Sequence, residues 1–114
     1  MSYSISPFEV SSKALAEPVK VRFVHLYSGI ATRHSDTIDC LFLMDGRKVT
    51  VAISCAALTE LRQREGKHLS DQQLAELAAQ ELRRTLEAGY DPSLAEVLVD
   101  TTRLRVSARE LGYL

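Results

Sequence analysis

The sequence predicts an α+β domain of two layers: a mostly antiparallel sheet of about four strands with two helices packed on one face. Three observations carry this. Two largely apolar stretches flank an Asp-Gly pair at residues 45 and 46, two capped amphipathic segments follow, and one more apolar stretch lies near residue 100. The helices offer the only large apolar stripes, so the sheet's apolar face has to bury against them.

The chain has 114 residues, 46% of them hydrophobic and 25% charged. That is one domain's worth of chain with the composition of an ordinary globule. Residues 1–18 are rich in Ser, carry breakers at Pro7 and Pro18, and read as a mobile leader. Short elements around Phe8–Val10 or Ser12–Ala16 are the most it offers. Residues 19–114 form the single α+β domain.

In Val19–Tyr27, Val19, Val21 and Phe23 alternate with Lys20 and Arg22, the period of a half-buried strand. The alternation slips at Val24 and Leu26, which calls for a bulge or a second buried face. Ser28–Thr37 is polar and reads as the longest internal loop.

Ile38–Ser54 holds the clearest local signal. Asp45-Gly46 suits a type I′ turn, whose twist matches the strands it joins. That turn sets Phe42 opposite Val49, Cys40 opposite Val51 and Ile38 opposite Ile53. One face is then uniformly apolar. The other carries Leu41, Leu43, Lys48, Thr50 and Ala52. A one-residue slip would turn the apolar set outward, so turn and pattern support the same register.

Ser54 fits the N-cap of a helix over Cys55–Glu65, with Gly66 just past its end. Glu60 and Arg64 form an i,i+4 pair on that helix. The second helix opens on a capping box, Ser70 with Gln73, and a Leu69–Leu74 staple. Its stripe is Leu74, Leu77, Ala78, Leu82, Thr85 and Leu86, and Gly89 ends it. Asp91-Pro92 suits one further turn. Val97–Thr102 reads as the last strand, with Asp100 outward-facing or at an edge. Ser107 with Glu110 makes another capping box and a short closing helical turn.

Composition and motifs exclude more functions than they suggest. Lys plus Arg is 14 against Asp plus Glu at 15, a net charge of −1. A surface built on phosphate contacts is usually strongly basic, so nucleic acid is an unfavoured partner. Two cysteines make no disulfide scaffold, no signal peptide is recognisable, and no apolar run approaches a membrane span. These features imply a cytoplasmic protein with reduced thiols. No phosphate-binding loop, nucleophile elbow or zinc-protease motif occurs, which points away from an enzyme, and no cofactor is implied. His34, Asp36, Asp39 and Cys40 are close in sequence but match no zinc spacing, so no metal is expected. Cys55 begins a helix, a place that can lower a thiol's pKa. It has no base adjacent in sequence, with His25, His34 and His68 as candidates only through the fold. The expectation is an ordinary packed thiol.

The run DGRKVTVAISCAAL, Asp45 to Leu58, with the strand before it, resembles a small bacterial domain-of-unknown-function family, the one numbered fourteen-eighty-eight. The resemblance covers about half of the chain. It implies a hairpin followed by helix and a final strand in a bacterial cytosolic protein, and it implies no activity.

The functional expectation is a non-enzymatic interaction module that binds a protein partner or a second copy of itself. Its candidate residues are Leu41, Leu43, Val24 and Leu26, the apolar positions left when one sheet face is filled. The leader, through Phe8, Val10 and Leu15, is the alternative cover for that face. The other reading is a nucleic-acid accessory using Arg62, Arg64, Lys67, Arg83 and Arg84 around the helix pair. Against it, the second helix begins with Asp71, where a recognition helix needs donors.

Overall fold

In the computed structural model, which describes residues 5–11, 17–29, 36–90, 92 and 96–114, the described residues form a five-stranded sheet and three helices. The strands are β1 (Phe8–Val10), β2 (Val19–Ser28), β3 (Thr37–Met44), β4 (Arg47–Ser54) and β5 (Val97–Val99). The helices are α1 (Cys55–Glu65), α2 (Asp71–Glu87) and α3 (Thr101–Glu110). Spatial order follows chain order, β1-β2-β3-β4-β5. The first three pairings are antiparallel and β4–β5 is parallel, so the sheet is mixed. Expectations for Ser12–Ala16 with Leu15, for His34 and for Asp91 fall outside the described residues.

The hairpin is the predicted one. Phe42 faces Val49, Cys40 faces Val51 and Ile38 faces Ile53. Asp45 and Gly46 take φ of 49° and 85°, the positive values a type I′ turn needs at both positions. The Asp45 side chain also accepts the Lys20 N–H at 3.1 Å, and the Lys20 carbonyl accepts the Asp45 N–H at 2.9 Å. The turn is thus anchored to β2. Gly46→Ala meets open space but must hold a positive φ. It should lower unfolding stability by about 1 kcal/mol, read from a urea midpoint. No loss would mean the backbone at Gly46 relaxes out of the turn.

The slip in β2 is a bulge. Phe23 faces Phe42 and His25 faces Leu41, leaving Val24 as the extra residue. Past it, Leu26 returns to the core side opposite Cys40.

Fully buried Val19, Val21, Phe42, Met44, Val49 and Ile53 meet Leu61, Leu77, Leu82, Leu86 and Leu104 in one core. The core-side row of the sheet is therefore the one the hairpin pattern marked. The caps match the sequence. Ser54 accepts the Ala57 N–H at 3.3 Å. Ser70 and Gln73 exchange bonds of 2.9 and 3.2 Å.

Four points extend or correct the sequence reading. The short element offered around Phe8–Val10 is an edge strand paired with β2, and Val10 is buried in the core. The sheet therefore gains a fifth strand. The last strand ends at Val99, not Thr102. Asp100 is not a strand charge but the N-cap of α3, accepting the Arg103 N–H at 2.9 Å. The closing turn expected at Ser107 is the last part of this third helix, whose Leu104 and Ala108 enter the core. A side-chain cap one residue after an apolar strand outweighs the β propensity of the two threonines.

Candidate functional site: the outer sheet face

All three helices contribute side chains to the core on one side of the sheet. The other side bears the alternate residues of each strand. Leu43 sits there, half-buried, between Arg22 on β2 and Lys48 on β4. Leu41 is also half-buried, between His25 and Thr50. The His25 ring is stacked obliquely on Tyr27, with centroids 4.9 Å apart. Val24, on the bulge, is 40% exposed, and Leu98 on β5 is 53% exposed.

Leu26 does not belong to this surface. The bulge rotates it to the core side, where it packs against the buried cluster. A single-residue insertion reverses the parity of every later residue in the strand, so strict alternation misassigned it. Phe8 and Val10 do not cover the outer face either. They extend the sheet sideways and pack with the core. At the far end the outer face closes, since Thr37, Asp39 and Ala52 are buried and Thr37 Oγ1 donates to Asp39 Oδ1 at 2.7 Å. Next to Leu43, a groove of about 570 Å³ runs past Glu9, Lys20 and Arg22 to the hairpin tip at Asp45.

Three of the five residues of the nucleic-acid reading are engaged within the chain. Arg64 Nε pairs with Glu60 Oε1 at 2.9 Å. Arg83 lies 4.7 Å above the centre of the Phe8 ring, where its cation holds β1 against α2. Arg84 bonds Glu81 at 3.0 Å, Ser107 at 3.2 Å and also Glu110. Arg62 and Lys67 have neither a carboxylate nor a ring partner among the described residues. They flank a cleft beside the connection between α1 and α2.

Sequence reasoning missed a buried cluster centred on Glu81. This carboxylate is wholly buried on α2. Its Oε1 accepts from Ser107 at 2.5 Å and from Arg84. Its Oε2 is 3.3 Å from Arg103 Nε, near enough for an ion pair but too poorly aligned for a hydrogen bond. The signal was present: Glu81 lies four residues from both Leu77 and Thr85, within the stripe that packs inward.

Cys55 lines open space beside Asp36. Burial, then the Asp36 carboxylate and its hydrogen bond with the thiol, push the Cys55 pKa up. Burial together with Asp39 and Asp71 pushes Cys40 to about 12. A raised pKa reduces the thiolate fraction at neutral pH. Iodoacetamide should therefore label Cys55 slowly at pH 7 and faster only as pH rises above the ordinary thiol range, as followed by intact mass. Rapid labelling at pH 7 would contradict this. Among the described residues, no group of three or more His, Cys, Asp or Glu is placed to hold a metal ion. Among those residues, too, no helix is long and apolar enough to cross a membrane.

Comparison of the chain with protein-family models, curated proteins and solved structures yields no match.

Proposed function

We propose that this chain is a non-enzymatic protein-interaction module that docks a partner on the outer face of its sheet. The observation that carries the reading is the placement of Leu41 and Leu43, half-buried side chains on the face opposite the side that receives all three helices. Removing such side chains from water contributes roughly 25 cal/mol per Å². Exposed Val24 and Leu98 enlarge the apolar area.

The charges beside it favour an occupant. Arg22 and Lys48 flank Leu43 directly, and Lys20 lines the adjoining groove. A partner segment with an apolar residue between acidic ones complements this arrangement. A second copy laid face to face would bring these cations together, so an acidic partner is preferred over a homodimer.

The test is quantitative capture from native lysate with the wild-type chain and with Leu41→Asp/Leu43→Asp. A partner held by the wild type should be lost by the variant, and its binding should weaken with salt. Circular dichroism of the variant should remain native. Equal capture by both chains, or none by either, would defeat the reading. Sedimentation of the wild type as a dimer that Leu43→Asp dissociates would assign the face to self-association.

A further inference from the structure

A second surface lies on the helix side, away from Leu41 and Leu43. Helix α1 ends at Gly66, whose φ of 65° turns the chain sharply. The connection to α2 then runs back past the end of β3, and a cleft of about 320 Å³ remains between them. Its walls are apolar: Ile38 from the sheet, Leu58 and Leu61 from α1, and Leu69 and Leu74 around the start of α2. Charged groups line it as well. Arg62 stands one helical turn from Leu58, Lys67 and His68 follow in the connection, and Asp71 is the one acid of the lining. Neither Arg62 nor Lys67 has a carboxylate partner among the described residues.

We propose that this cleft binds a small amphipathic carboxylate, with its apolar body against the leucines and its head group between Arg62 and Lys67. The volume is at the low end for ligand pockets, which fits a medium-length acyl or a single-ring aryl acid. The apolar lining supplies the burial, chiefly through partly exposed Ile38 and Leu58, with the buried leucines as its floor. The two cations supply charge-assisted hydrogen bonds that a neutral ligand of the same shape forgoes. Asp71 sets the polarity, because a carboxylate head turned toward it is repelled. This inference is independent of the outer face and stands whether or not a protein docks there.

The experiment is a titration of the isotopically labelled full chain with octanoate and, separately, with 1-octanol, followed by amide chemical shifts. Octanoate should move the amides of Leu58, Arg62, Lys67, Leu69 and Leu74 and bind more tightly than octanol. Arg62→Gln/Lys67→Gln should weaken octanoate about tenfold and leave octanol unchanged. Thr59→Trp, on the exposed mouth of the cleft, should weaken both ligands without touching the cations. Octanol binding as well as octanoate, or a double variant that binds octanoate like the wild type, would overturn the charge assignment and with it the proposal. No shift at these amides, or shifts confined to Leu41 and Leu43, would overturn the cleft as the site.

Discussion

Phe42→Ala should destabilise the chain by about 3–5 kcal/mol, the range for deleting a buried aromatic ring. Phe42 has no exposed surface, and its ring meets Phe23 edge-on with centroids 5.4 Å apart. Leu43→Ala, one residue along, should cost about 1 kcal/mol, because that side chain is only partly removed from water. Urea unfolding of both variants measures the contrast. A typical domain has only about 5–15 kcal/mol in total, so the first variant should be close to unfolding at elevated temperature. Reversed ordering of the two losses would show that the faces of β3 are assigned the wrong way round.

The second large effect is expected at the helix interface. Arg84→Ala/Arg103→Ala should cost about 3 kcal/mol, the low end for a buried charge stripped of its partners. Glu81 is then left desolvated, with Ser107 as its remaining hydrogen-bond donor among these groups. Both arginines reach solvent, with side chains 33% and 43% exposed, which keeps the loss at the low end. Adding Glu81→Gln to the double variant should recover part of the stability, since the neutral amide no longer needs a countercharge. Thermal melts of the three proteins test this. If Glu81→Gln deepens the loss, the carboxylate is held by something other than the arginines.

The readable parts of this fold were those whose determinants are local. Asp45-Gly46 specifies its turn through two positive φ angles, and the alternation beside it needs no distant information. Ser54 and Ser70 cap helices through atoms three residues away. The bulge at Val24 was legible as a slip in the pattern. Its consequence for Leu26 was not, because either of two repairs fits the same letters. Asp100 was misread because Val97 to Thr102 has strong β propensity, while its capping bond to the Arg103 N–H was an equally local signal. Arg83 and Arg84 were ambiguous for a different reason. Apart from Glu81 beside Arg84, their partners, Phe8, Ser107 and Glu110, lie far away in sequence, and only the packing of α2 against β1 and α3 selects them. At the outer face, Leu41 and Leu43 were legible from parity. The cleft beside Arg62 and Lys67 was not, since no periodicity encodes the space left between two helices and a strand end.

The one parallel pairing, between β4 and β5, also sets an order of events. Residues 55–96 separate the two strands, whereas β3 and β4 are joined by two residues. Closing the long loop is slow compared with closing the hairpin. While the chain is being synthesised, Val51, Ala52 and Ile53 must wait for Val97, Leu98 and Val99 to emerge before that edge is capped. In the interval, a row of unpaired backbone groups on an apolar strand is open to another nascent chain. Three residues of β5 therefore act as a guard against aggregation. Lesions in β5 or in the Asp100 cap that follows it should lower soluble yield at high expression more than they lower the melting temperature of the material that folds.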